Sequence, residues 1–310
     1  MASEIKRVAV VGTGVIGASW TALFLAKGLT VSATDIAPGA EDKLNRYVEA
    51  AWPALECLGL AGGDYRSQLS FTRDLRAAVA EVELVQENGP ERLDFKKRLY
   101  GELDSLLPPS VIIASSSSGL TMSDIQSGCH QHPERCVIGH PFNPPHLIPL
   151  VEIVGGSKTS EDTITRVTAF YAALGKQTIR LRKEVAGHVA NRLQAALWRE
   201  MVYLVSQGVV SVADADKAVC WGPGLRWGVM GPALLFHLAG GVGGIEHFFD
   251  HFTQPMNDWW KTLGNPQMTP DIRKLMVEGT LLESGARSLD ALAIQRDNAL
   301  LGLLKVRATQ

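Results

Sequence analysis

The sequence predicts a doubly wound, mainly parallel α/β sheet followed by a smaller all-helical domain, and three observations carry that expectation. A short β-branched run, "VAVV" at residues 8–11, leads directly into Gly12-x-Gly14-x-x-Gly17 and then into a helical pattern. Strand-like apolar runs then alternate with helical patterns up to residue 186, as successive β-α units require. From Gly187 onward the strand-like runs stop, and apolar residues recur at helical spacing. The expected domains are therefore 1–186 and 187–310.

The first run is apolar throughout, as a strand buried on both faces should be. Gly12 permits a tight turn out of it, Gly14 lets the backbone approach a pyrophosphate, and Gly17 lets the next helix pack on the strand. That helix continues through Ala26 to a C-cap at Gly28, and its N-terminus offers unpaired N–H groups to phosphate. A second strand, "TVSATD", ends in Asp35, at about the ~20-residue separation where an acid binds the adenosine ribose hydroxyls. These features predict a Rossmann-type dinucleotide site at Gly12, Gly14, Val15, Ile16, Gly17 and Asp35. Asp35 would repel a 2′-phosphate and no arginine follows in "DIAPGAE", so the expected cofactor is NAD rather than NADP.

A helix-rich insertion with a glycine break at "LGLAGGD" comes next. "VELVQE" and "VIIASSS" read as buried strands around the helical pattern "RLDFKKRLYGELDSLL". "RCVIGH" and "PLVEIV" are further strands, a helix opens at Thr159 or Ser160 and ends at Gly175, and "QTIRLRKE" is the last strand. In the second half, "HVANRLQAALWREMVYLVSQGVV" is a long helix, and the next is capped by Ser211. Another has Thr269 as cap with Pro270 at its first position, and "SLDALAIQRDNALLGLLKVRA" is the last. The intervening "HFFDHF" and "NDWW" are rich in aromatics. A small helical domain of this composition predicts burial against a second copy, hence a homodimer with the active site between the two domains.

Bulk composition excludes several classes. The 310 residues are 46% hydrophobic and 20% charged, with net charge −2. Nucleic acid and anionic membrane both reward a basic face, which this chain lacks. No apolar run approaches a membrane span, and the first strand begins by Lys6, leaving no room for a signal peptide. Cys57, Cys129, Cys136 and Cys220 are scattered and form no disulfide framework. A cytoplasmic, reduced protein is expected.

The segment "GHPFNPPHLIPLVE" carries the chemistry. His140 falls at the carboxyl end of a strand, on the expected cofactor side, and Glu152 lies inside the next apolar run. A buried carboxylate is costly unless paired. An imidazole partner meets that need, and the carboxylate in turn fixes the tautomer and stabilises the imidazolium. A general base that takes a proton from an alcohol, while hydride goes to NAD, requires this arrangement.

Together with the glycine motif, the stretches "QENGPERLDFKKRLY", "SSSSGL", "HPERCVIGHPFNPPHLIPLVE", "RKEVAGHVANRL" and "GLRWGVMGP" resemble the L-3-hydroxyacyl-CoA dehydrogenase superfamily along nearly the whole chain. The likeness is greatest to the branch acting on free hydroxy acids, which includes L-carnitine dehydrogenase and L-gulonate 3-dehydrogenase (lambda-crystallin). The resemblance implies that His140 is the base and Glu152 its partner. It implies that Ser118 and Asn191 hold the substrate oxygen, and that Glu91 and Lys96 line the nicotinamide and ribose side of the cofactor. Asn191 sits within a helical pattern, where asparagine is a poor former, which favours a functional role.

Departures from the acyl-CoA pattern point to a small free L-3-hydroxy acid, carnitine-, gulonate- or 3-hydroxybutyrate-like. Pro141 and Phe142 stand where two aromatics usually follow the histidine, and Gly119 replaces a second serine. The stretch "CLGLAGGDYRSQLS" carries one arginine, too little to clamp the CoA phosphates. A free acid needs a charge partner, for which Arg226 is the candidate. Trp227 and Phe236 either cage a quaternary ammonium or pack a dimer core. The alternatives are a short-chain L-3-hydroxyacyl-CoA dehydrogenase and a non-catalytic, crystallin-like structural protein. No metal is expected: Cys129, His130, His132 and Cys136 match no standard zinc spacing, and His247 and His251 lack a third ligand.

Overall fold

The computed structural model describes residues 5–60 and 64–308, so residues 61–63 of the "LGLAGGD" glycine break lie outside the described residues. The chain divides into two compact units, Met1–Asn191 and Arg192–Gln310. In the first unit the order is β1 (Arg7–Val11), α1 (Val15–Ala26), β2 (Thr30–Thr34), α2 (Ala40–Cys57), β3 (Leu69–Thr72), α3 (Leu75–Ala78), β4 (Leu84–Glu87) and α4 (Leu93–Leu106). Then follow β5 (Ile112–Ser115), α5 (Met122–Gln126), β6 (Cys136–Pro141), β7 (Leu150–Gly155), α6 (Glu161–Ala173) and β8 (Gln177–Arg180), and the helix α7 (Ala190–Ser206) begins.

The eight strands form one sheet in the order β3-β2-β1-β4-β5-β6-β7-β8. Every neighbouring pair is parallel except β6 and β7. The exception has a simple cause. Parallel neighbours need a crossover of a dozen or more residues, usually a helix, and residues 142–149 between these strands are too few. The chain turns back, and the return places His140 directly opposite Glu152 in the ladder. Edge strand β3 is absent from the sequence expectation. "LSFT" is four residues long and only half-buried, so it shows neither the full apolar run of a central strand nor a sustained alternation.

Each sheet face has its own core. On one, Trp20, Phe24 and Tyr171 are fully buried and pack ring on ring, with Trp20–Phe24 centroids 5.2 Å apart. On the other, Tyr100, Leu103 and Met122 are buried beneath α4 and α5. Ser160 rather than Thr159 caps α6, through its hydroxyl and the Thr163 N–H.

The second unit holds the rest of α7, then α8 (Val212–Trp221), α9 (Pro223–Trp227), α10 (Pro232–Ala239), α11 (Gly244–Thr262), α12 (Pro270–Ser284) and α13 (Leu289–Arg307). Ser211 and Thr269 cap α8 and α12 as the sequence indicates, and Ser288 caps α13. "HFFDHF" and "NDWW" both belong to α11. The buried core is small: Met201, Val202, Val205, Val212, Ala215 and Met276. Among the described residues, no helix is long and apolar enough to cross a membrane.

Candidate active site

The glycine turn has the geometry its spacing requires. Gly12 is in the left-handed region (φ 87°), where only glycine is free of strain. A Cβ on Gly17 would lie 1.9 Å from the Gly12 carbonyl oxygen, so helix and turn pack on bare backbone. A Cβ on Gly14, by contrast, would meet nothing within 4 Å. Gly14 caps α1 with no side chain, leaving the first N–H groups to face open space. Val15, in that first turn, is 60% exposed, and Ile16 is half-buried.

A cavity of about 760 Å³ adjoins this turn, lined by Gly12, Gly14, Asp35, Ile36, Arg73 and Asn88 among others. Asp35 is oriented from both sides: one oxygen accepts from Thr13 N (2.8 Å) and Thr13 Oγ1 (3.2 Å), the other from Ala37 N (2.8 Å). The oxygen that faces Ala37, with one bond, keeps acceptor capacity for a ribose hydroxyl. Arg73, which follows β3, donates from Nη2 to the Ile36 carbonyl at 2.6 Å. An uncapped helix start, an open glycine and an oriented acid fit a dinucleotide.

The carboxyl ends of β4 and β5 carry a buried polar cluster. Lys96 Nζ lies 2.7 and 2.9 Å from the two oxygens of Glu87, and both side chains are essentially inaccessible. Ser115 Oγ donates to Glu87 at 2.6 Å. Glu91 stands apart from that pair, 3.9 Å from Lys96 Nζ. One of its oxygens accepts from Ser117 Oγ (2.6 Å) and from the N–H groups of Ser118, Gly119 and Leu120 (3.0, 2.8 and 3.2 Å). Burial opposes ionisation of Glu91, but these hydrogen bonds and the Lys96 charge outweigh it and hold the carboxyl below its usual range. The structure thus assigns Glu91 to the serine loop and Lys96 to Glu87. Glu87 was missed in the sequence, although an acid closing a buried strand needs a cationic partner.

His140 and Glu152 meet as neighbours across the β6–β7 ladder. His140 Nδ1 is 2.8 Å from one Glu152 oxygen, with His140 3% and Glu152 0% exposed. The other Glu152 oxygen accepts the N–H groups of Val189 (2.9 Å) and Ala190 (3.0 Å), at the start of α7. Desolvation pushes the Glu152 carboxyl up. The His140 bond and the two N–H groups more than offset it, so the group stays ionised to lower pH than usual. With a carboxylate at Nδ1, the proton belongs there, and Nε2 keeps its lone pair. This arrangement can accept a proton from a hydroxyl.

Asn191 is in the first turn of α7, not mid-helix as the sequence pattern indicated. The helical spacing runs from residue 188, but the backbone at Gly187 and His188 is left-handed (φ 75° and 50°), which delays the helix to Ala190. Asn191 Nδ2 approaches the Ser118 carbonyl at 3.4 Å, and Ser118 is exposed within this unit. His140, Glu152, Ser118, Asn191 and Glu91 therefore belong to one linked neighbourhood.

His188, which sequence reasoning passed over, joins it. It is 2% exposed, its ring centroid is 5.0 Å from that of His140, and its Nε2 is 2.9 Å from the Ser117 carbonyl. A left-handed histidine in "AGHVAN" is invisible to pattern reading, since its neighbour Gly187 already accounts for a turn.

Arg226 and Trp227 are on α9 of the second unit and exposed within it, Trp227 at 40%. Phe236 stacks on Phe248, centroids 4.6 Å apart. Cys129 and Cys136 bring their sulfurs to 3.6 Å, and His132 pairs with Glu134 at 3.1 Å. His247 and His251 each bond a backbone carbonyl. Among the described residues, no three His, Cys, Asp or Glu side chains are disposed to hold a metal.

Comparison with known proteins places these features. Residues 7–185 match the family model for the 3-hydroxyacyl-CoA dehydrogenase NAD binding domain, and residues 187–269 match its C-terminal domain. L-carnitine dehydrogenase of Streptomyces coelicolor is 47% identical over 97% of this chain and 95% of its own length. The L-carnitine dehydrogenase of Streptomyces griseus is 46% identical over 97% and 90%. Among solved structures, the chain is similar to 5-formyl-3-hydroxy-2-methylpyridine 4-carboxylic acid 5-dehydrogenase, an NAD+-dependent dismutase. That likeness has a TM-score of 0.84 at 30% identity, over 98% of this chain and 99% of that one.

Proposed function

The chain belongs to the 3-hydroxyacyl-CoA dehydrogenase family and is an NAD-dependent oxidoreductase of CH–OH groups, and from that premise we propose that it oxidises L-carnitine, a free 3-hydroxy acid, to its 3-keto acid. The observation that carries the chemistry is the buried His140–Glu152 pair at 2.8 Å. The names of relatives at 46–47% identity, matched over most of their length, carry the substrate.

Bound NAD supplies the acceptor for the hydride leaving the carbinol carbon. His140 Nε2 takes the hydroxyl proton, and Glu152 on Nδ1 balances the charge the imidazole acquires. Ser118 and Asn191 donate to the substrate oxygen as negative charge develops on it. Gly12, Gly14, Val15, Ile16, Gly17 and Asp35 hold the adenosine and pyrophosphate. Glu91 and Lys96 support the nicotinamide side, Glu91 through the serine loop and Lys96 through Glu87.

Arg226 is the candidate anchor for the substrate carboxylate, since its planar fork forms two parallel charge-assisted bonds. Trp227 is the candidate face for the trimethylammonium group. The protein works as a homodimer joined through the second unit, in the cytoplasm.

The test is NAD reduction measured with L-carnitine, L-gulonate, L-3-hydroxybutyrate and L-3-hydroxybutyryl-CoA at equal concentration. The expected order puts L-carnitine first by kcat/KM. A higher kcat/KM for the CoA ester would replace this reading with a short-chain acyl-CoA dehydrogenase. No turnover on any of the four, with NADH binding intact, would favour a structural protein.

A further inference from the structure

The ring of His188 is an expensive choice for its position. Its backbone is left-handed (φ 50°), a conformation that glycine adopts most freely and that few side-chain-bearing residues take up. Its Nδ1 is buried with no hydrogen-bond partner among the described residues, a cost a phenylalanine of similar shape would avoid. What the imidazole adds is a single N–H. Nε2 is 2.9 Å from the Ser117 carbonyl, which can only accept, so Nε2 carries the proton and the tautomer is fixed. Burial pushes this imidazole towards the neutral form, and the nearby His140 acts in the same direction.

The two ends of that bond belong to different parts of the site. Ser117 sits in the loop that presents Ser118 and is itself bonded to Glu91. His188 immediately precedes Val189 and Ala190, whose N–H groups hold Glu152. We propose that His188 is a positioning residue that clamps the serine loop to the His140–Glu152 pair, setting the distance between the substrate-oxygen donors and the base. The inference rests on the reading of His140 as general base and Ser118 as an oxygen donor.

Three substitutions separate the clamp from the bulk of the ring. His188→Phe keeps an aromatic wall and removes the N–H. His188→Gln puts an amide N–H near the position of Nε2. His188→Asn accepts the left-handed backbone and has an N–H, but is too short to reach Ser117. With the best acid of the panel and saturating NAD, Phe and Asn should each lower kcat about tenfold. NADH affinity should stay within about twofold, and Gln should restore most of kcat.

A His188→Phe enzyme with wild-type kcat would overturn the clamp, as would Gln and Asn enzymes equally impaired. If the Phe variant does not fold, the Gln and Asn pair still decides. His140→Ala, measured alongside, keeps the two readings apart. Turnover surviving in His140→Ala defeats the general base, whereas an inactive His140→Ala with a normal His188→Phe defeats only the clamp.

Discussion

Glu152 offers a sharper test of the base than deletion does, because its two oxygens have different partners. One accepts two backbone N–H groups and the other faces His140 Nδ1. In Glu152→Gln the amide oxygen must turn to the backbone donors, since an NH2 there would meet N–H groups. The NH2 then faces Nδ1 and holds the imidazole in the tautomer with its proton on Nε2, which cannot accept one from substrate. The expected result is a folded enzyme with kcat lowered roughly 10²–10⁴-fold and unchanged NADH binding. A Gln variant within about twofold of wild type would show that the carboxylate does not set the tautomer. The depressed carboxyl also links to stability. Its contribution is complete above the unfolded value near 4.5 and is lost as pH falls through the lower folded value, so the wild type's advantage over Glu152→Gln should shrink in acid. The pair was legible in the sequence because an acid in an apolar run demands a partner, and His140 closes the neighbouring strand. The Glu87–Lys96 bond was not, because it joins a strand end to a helix and no local period marks it.

Elements explain what neighbouring segments contribute to the cofactor site. Asp35 follows β2, and the sequence offered no basic residue near it. The structure supplies one just after β3, a strand too short and too half-buried to read from its pattern. Arg73 donates to the Ile36 carbonyl and lines the same cavity as Asp35. NAD is the cofactor, and on the proposed reading the Asp35 carboxylate repels a 2′-phosphate. Asp35→Ala removes that repulsion while leaving a guanidinium within the cavity. The ratio of kcat/KM for NAD over NADP should fall about tenfold or more, through gain with NADP as well as loss with NAD. Asp35→Ala combined with Arg73→Ala should lose the gain. An unchanged ratio in Asp35→Ala would show that cofactor choice lies elsewhere. The parallel order of the first strands was legible from alternation, whereas the β6–β7 reversal follows from a connection too short to cross over.

For the whole molecule, the second unit bears on assembly. Among the described residues its buried cluster is six residues, with Phe248 buried apart from it, while Trp221, Trp259, Trp260, Leu282 and Leu289 are each more than half exposed within the chain. Monomeric proteins rarely leave so much large apolar surface in water. Covering a tryptophan contributes about 1.5–3 kcal/mol or more through area alone, so several such side chains supply enough to hold two chains together after the cost of association. Aromatic enrichment in "HFFDHF" and "NDWW" made an apolar-rich second unit legible in outline; which of these side chains stay exposed was not, because helical spacing gives a face and not what covers it. Trp259 and Trp260 are consecutive on α11 and 58% and 62% exposed. Trp259→Glu and Trp260→Glu together would place charge on that surface. Sedimentation should show a dimer for wild type and a monomer for the double variant at micromolar concentration. The melting temperature should depend on protein concentration only in the wild type, because mass action stabilises only a chain that associates. NADH binding should persist, since the glycine turn, Asp35 and Arg73 all belong to the first unit. A wild-type monomer whose melting temperature ignores concentration would leave these tryptophans to another role.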